Sequence, residues 1–182
     1  GDWNEIKQLT ASSGEAGNKF GHSVAISGDT AVVGAPDEGP QSTLWKAGSA
    51  YIFERDSDGN WSEKQKITSN ERLSLKQFGW SVAISGNTIL IGTYSGEKAF
   101  IFEKNNNVWL PTETQELTPI NQDNDELFGE KFGRAVAIGH NTAIIGAPYA
   151  NDEEQNGDPS VGAAYIFTKG SEGWSQQQKI FA

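Results

Sequence analysis

Residues 20–36 read FGHSVAISGDTAVVGAP, and the pattern returns at 78–94 as FGWSVAISGNTILIGTY and at 132–148 as FGRAVAIGHNTAIIGAP. In each copy 14 positions separate Phe from the closing Gly: Phe20 to Gly34, Phe78 to Gly92, Phe132 to Gly146. An interval held through three copies marks an internal repeat. Val24 and Ile26 alternate with Ser23, Ala25 and Ser27, the period of two that defines a strand. The runs Ala31 to Val33, Ile89 to Ile91 and Ala143 to Ile145 are unbroken and apolar, as expected of a strand covered on both faces. Two residues join these strands: Gly28-Asp29, Gly86-Asn87 or His140-Asn141, chemistry that suits a tight hairpin turn. His140 is therefore read as a turn residue ahead of a ligand.

Two further segments complete each unit. SAYIFER at 49–55 is matched by KAFIFEK at 98–104 and AAYIFTK at 163–169. A Trp-led segment follows: WSEKQKI at 61–67, Trp109 through Leu117, and WSQQQKI at 174–180, with a further copy, WNEIKQL, at 3–9. Its polar, lysine-bearing character is that of an exposed sheet edge. Each unit thus runs from a buried inner strand to a polar outer one, which is the design of a propeller blade. The expected fold is all-β, a β-propeller of four-stranded antiparallel blades. Blades occupy 11–68, 69–118 and 119–182, and 1–10 is the outer strand of a preceding or partner blade. Propellers close with about 4 to 8 blades. Three therefore imply either the remaining blades of a longer chain or a homo-oligomer in which two chains make six.

Phe20-Gly21 with Gly34-Ala35-Pro36, and Phe132-Gly133 with Gly146-Ala147-Pro148, resemble the FG-GAP repeat of integrin α-chain propellers and many bacterial surface proteins. The middle unit keeps Phe78-Gly79 but departs at Gly92-Thr93-Tyr94. The resemblance implies a propeller used for adhesion and ligand recognition, on a secreted or cell-surface protein. Integrin-type repeats often carry a calcium loop between the first two strands. Only a two-residue turn stands there in this chain, which is similar to the calcium-free bacterial branch, so no cofactor is expected.

Composition narrows the partners. A net charge of -10 disfavours nucleic acid and anionic membrane surfaces. The absence of Cys removes disulfides, thiolate chemistry and Cys-ligated zinc. No apolar run approaches the roughly 18 residues of a membrane span, so no membrane insertion is expected. There is no Met, and the start at Gly1-Asp2-Trp3 reads as a processed or excised piece.

In an antiparallel blade the turns after the first and third strands share one end, and the remaining loops share the other. The first end is nearly uniform, with Phe53 to Trp61, Phe102 to Trp109 and Phe167 to Trp174 spanning 8, 7 and 7 positions. At the second, Gly34 to Tyr51, Gly92 to Phe100 and Gly146 to Tyr165 span 17, 8 and 19 positions. Variable loops on a rigid scaffold are where binding usually lives, although neutral loop drift produces the same pattern. His22, Trp80 and Arg134 each follow Phe-Gly and stand at equivalent positions near the axis. They form a ligand cradle or a variable rim. Tyr94 and Tyr149 join the candidate ligand set. Trp45, the one Trp outside every strand segment, is a stacking platform or a cap on its own loop.

Asp152, Glu154, Asn156 and Asp158 alternate as oxygen ligands for a hard cation would. Glu is long for the position it holds, and no acidic residue follows Asp158 to finish the cage. The segment is read as a solvated acidic loop, with calcium the less favoured reading. Asp56 to Gly59 is a hairpin turn. No catalytic constellation emerges: the chain has two His, and His22 and Ser23 point to opposite sides of one strand. The expectation is a non-enzymatic module binding protein or glycan, with a structural or assembly segment as the alternative.

Overall fold

The computed structural model describes residues 4–39, 45–71, 75–95, 97–120, 130–150 and 161–181. The first blade comprises β1 (Ser23–Ser27), β2 (Thr30–Ala35), β3 (Ser49–Arg55) and β4 (Trp61–Ile67), in that spatial order. The second comprises β5 (Ser81–Ser85), β6 (Thr88–Gly92), β7 (Ala99–Asn105), β8 (Val108–Trp109) and β9 (Gln115–Leu117), the last two both pairing with β7. The third comprises β10 (Ala135–Gly139), β11 (Thr142–Ala147), β12 (Ala163–Gly170) and β13 (Gly173–Phe181). Every ladder within a blade is antiparallel. The three sheets make a partial propeller, with β1, β5 and β10 side by side.

The split of the second outer strand corrects the reading of Trp109 through Leu117 as one strand. Pro111 lies between the pieces, and proline has no N–H for the ladder. The other two outer strands carry one extra residue each, at Lys64 and Gln177, where register shifts against Ile52/Phe53 and Ile166/Phe167. All three blades thus bend the outer strand at a corresponding place, two by a bulge and one by a break.

Burial shows how blades pack. Val32, Ala50, Ile52 and Ile67 of the first blade meet Val82, Ile84, Ile89, Ile91, Phe100 and Phe102 of the second. Leu90, Ala99, Ile101 and Leu117 of the second meet Ala143, Ile145, Tyr165 and Phe167 of the third. Each blade therefore has a leading face toward the blade before it and a trailing face toward the blade after. Each end face exposes apolar positions that an internal junction buries. Val24 and Ile26, on the first leading face, are 69% and 66% exposed, whereas Val82 and Ile84 at the same positions are 9% exposed. On the last trailing face Ile144 and Ile180 are exposed, so β11 alternates where β2 is buried throughout. The most buried strands are the second and third of each blade rather than the inner one, because an inner strand of an open arc has no blade across the axis.

Polar contacts repeat at both junctions. Ser23 Oγ donates to Gly79 O (2.9 Å) and Ser81 Oγ to Gly133 O (2.7 Å). The Gly86 and His140 amides donate to Ser27 Oγ (3.2 Å) and Ser85 Oγ (3.1 Å). Lys104 Nζ and Trp109 Nε1 donate to Glu54 Oε1 (2.7 and 2.9 Å), and Lys169 reaches Glu103 (2.5 Å). The third blade presents Ala135, Gly139 and Thr168 where these Ser, Ser and Glu stand.

Residues 4–10 form no strand; Leu9 packs with Ala11 and Phe20 against Tyr51 and Phe53, on the first leading face. A strand needs a ladder partner, and β13 already fills the outer position of the third blade. Trp3 lies outside the described residues. The Asp56 turn forms as expected: Asp56 Oδ1 accepts the amides of Asp58 (3.0 Å) and Asn60 (2.8 Å).

Candidate functional site

The Phe-Gly pair is a device for placing the residue that follows it. The residue before Phe takes a left-handed conformation (Lys19 φ 57°, Gln77 φ 55°, Lys131 φ 55°), and Gly follows at φ 89°, 84° and 97°. Gly tolerates that region without a Cβ clash. The turn closes through the amides of His22, Trp80 and Arg134, which donate to the carbonyls of Lys19 (3.0 Å), Gln77 (3.2 Å) and Lys131 (3.2 Å). Phe78 and Phe132 point into the core, and the next side chain is left at the loop end of the arc.

These three side chains meet. The His22 and Trp80 rings lie 4.3 Å apart, centre to centre, and Trp80 and Tyr94 4.4 Å. The Arg134 guanidinium carbon is 4.0 Å from the Tyr94 ring centre, 5.6 Å from Trp80 and 5.9 Å from Tyr149. Five of the six candidate ligand residues thus form one continuous path, from His22 on the first blade to Tyr149 on the third. His22 and Tyr149 are exposed; Trp80, Tyr94 and Arg134 are partly buried. Such pairings contribute about 0.5–1.5 kcal/mol each beyond area burial, enough to order a surface cluster.

Trp45 stands apart from this path. It is exposed, with Lys46 Nζ 5.2 Å from its ring, and its carbonyl accepts the Leu75 amide (2.8 Å). Its loop is anchored by Asp37, whose carboxylate takes Lys19 Nζ (3.0 Å), Lys46 Nζ (3.2 Å) and Gln77 Nε2 (2.6 Å). Burial pushes the Asp37 carboxyl up, but hydrogen bonds from Lys19, Gln77 and Lys46 outweigh it and hold it below the usual range.

Asp152, Glu154, Asn156 and Asp158 lie outside the described residues. Among the described residues, no three His, Asp or Glu side chains gather as metal ligands would. His140 sits at the hairpin turn with φ 51°.

Reading along the sequence missed a second feature at this end. Tyr51 Oη donates to Glu38 Oε2 (2.7 Å), Lys66 pairs with the other carboxylate oxygen, and Ser13 Oγ lies 2.9 Å from Tyr51 Oη. The third blade repeats the trio with Tyr165, Glu130 and Lys179. Burial pushes the Tyr51 phenol well up, so it stays a donor. Glu38 follows the second strand whereas Glu130 precedes the first, so no fixed spacing relates the two trios. They tie the variable loops to the rigid blades.

The FG-GAP repeat family model matches residues 3–53, 61–106 and 111–167, most of the chain. The chain belongs to the FG-GAP repeat family. The Phe-Gly turn and the small Gly-Ala residues of the FG-GAP signature thereby acquire their roles, one aiming the cluster and the other admitting the next blade. A search of curated proteins returned no match. Among solved structures, Sqt1 of Saccharomyces cerevisiae is similar with a TM-score of 0.52 at 10% identity, over 91% of this chain and 36% of that one. Putative 6-phosphogluconolactonases of Bacteroides uniformis and Bacteroides fragilis each align at TM-score 0.47 and 10% identity, over 89% of this chain and 57% of theirs. The chain therefore spans less than two thirds of each. At such identity the Sqt1 likeness concerns fold alone, and the other two carry no weight here.

Proposed function

We propose that this FG-GAP chain is a non-enzymatic recognition module of a secreted or cell-surface protein, binding protein or glycan through the loop end of its blades. The observation that carries this reading is the path His22–Trp80–Tyr94–Arg134–Tyr149. It draws residues from all three blades onto the end where loop lengths differ. Tyr, Trp and Arg are the side chains that dominate binding hot spots. The test is an array of immobilised proteins and glycans, probed with the chain and with Trp80→Ala. Specific binding that the variant loses supports the reading, and failure of the whole array removes it.

A second reading rests on a separate observation, the exposed apolar residues on the two end faces. Val24 and Ile26 on one, and Ile144 and Ile180 on the other, occupy positions that internal junctions bury. In this reading the chain mainly joins other blades or chains, as a homo-oligomer or within a longer propeller. The Trp3–Leu9 segment then supplies an outer strand to the neighbour. Ala135, Gly139 and Thr168 would leave a junction on the last trailing face without the polar ties of the internal ones. Light scattering over a range of concentrations tests this, with a stable dimer supporting closure into six blades.

A further inference from the structure

The recognition reading leaves the ligand's chemistry open, and Arg134 narrows it. Its guanidinium carbon lies over the Tyr94 ring at 4.0 Å, with Trp80 and Tyr149 at 5.6 and 5.9 Å. A guanidinium carries five N–H donors in one plane, and a ring offers them no lone pair to accept a conventional hydrogen bond. Among the described residues, the Arg134 side chain makes no hydrogen bond or ion pair, and its contacts are the three rings. Three neighbouring lysines are partnered: Lys19 and Lys46 by Asp37, Lys76 by Ser95 O. Arg134 is also held before any ligand arrives, its backbone by the turn to Lys131 and its side chain by the rings. A pre-positioned fork loses little entropy on binding and matches a carboxylate with two parallel hydrogen bonds.

From these observations, and resting on the recognition reading above, we infer that Arg134 receives a carboxylate presented by a protein partner, an Asp or Glu side chain or a chain terminus. Two facts select this class. The chain carries a net charge of -10, which repels densely charged polyanions and leaves room for an isolated carboxylate. The groups around the fork are Trp80, Tyr94 and Tyr149, large rigid rings that give a peptide segment apolar contact beside its charge. Tyr149 and His22, exposed at the two ends of the path, mark how far such a segment extends.

The probe is a phage-displayed library of random dodecamer peptides, selected on the immobilised chain, with the winners synthesised and titrated. Winners are expected to carry an Asp, a Glu or a free carboxyl terminus. Converting that group to its amide should weaken binding by about tenfold or more, and should change nothing on Arg134→Gln. Arg134→Lys, which keeps the charge and loses the fork, should bind between the two; thermal melts of both variants establish that they are folded. Winners that bind Arg134→Gln as tightly as the wild type would overturn the carboxylate assignment while leaving the recognition reading intact. Should no peptide be enriched while sialylated or uronate glycans bind in an Arg134-dependent way, the partner class falls. If neither peptides nor glycans bind, the recognition reading itself fails.

Discussion

The guanidinium carbon of Arg134 lies 4.0 Å from the centre of the Tyr94 ring, so a side chain of the third blade completes a cluster on the second. Trp80 stands between Tyr94 and His22 in the same way and brings in the first blade. A single position in the repeat, the one after Phe-Gly, becomes a shared surface only when consecutive blades pack. That packing makes the signature glycines as important to the site as the aromatic residues.

Gly34 and Gly92 should not accept a side chain. A Cβ on Gly34 would sit 2.1 Å from Gly79 O, and one on Gly92 2.0 Å from Gly133 O. The obstacle in both is backbone of the next blade. Gly34→Ala and Gly92→Ala are each expected to lose about 2–3 kcal/mol in denaturant unfolding. Gly146→Ala, at the same repeat position, meets nothing closer than 3.4 Å and should stay within about 0.5 kcal/mol of wild type. Equal losses at all three would contradict the junction geometry.

Glu54 should make the first junction acid-sensitive. Burial raises its carboxyl, but hydrogen bonds from Lys104 and Trp109 outweigh that and hold it below the usual range. A carboxyl lowered on folding stabilises the fold fully above its unfolded value, about 4.3, and loses that contribution as pH falls through the folded value. Glu54→Gln is expected to cost about 1–2 kcal/mol at pH 7, with a smaller difference from wild type in melts at pH 3. A gap that widens with acid would reverse the assignment.

His140 holds φ 51° where its two counterparts are Gly28 and Gly86. His140→Gly relieves a left-handed non-glycine residue and should raise stability by up to about 1 kcal/mol, measured by thermal melting. Because His140 belongs to the opposite end of the blade, ligand binding should not change. A loss of binding would show that the turn reading is incomplete.

The blades were legible because a fixed Phe-to-Gly interval and a period-two pattern are local, and local signals survive in one dimension. The cluster was legible for the same reason, since His22, Trp80 and Arg134 share a repeat position. Their direct contact was not, because it depends on how closely successive blades approach. The Tyr51–Glu38–Lys66 and Tyr165–Glu130–Lys179 trios escaped notice because each joins three segments of different spacing. The Trp3–Leu9 segment has the composition of an outer strand, yet residues 4–10 form no ladder, since strand formation needs an edge as well as a pattern.

The most direct test of the account is the affinity of one array-selected ligand for wild type and for Trp80→Ala, compared at equal folded fraction. The account predicts a fall of about tenfold or more, because Trp80 bridges His22 and Tyr94 at the middle of the path. Unchanged affinity in a folded Trp80→Ala chain would contradict it, placing recognition elsewhere on the blades.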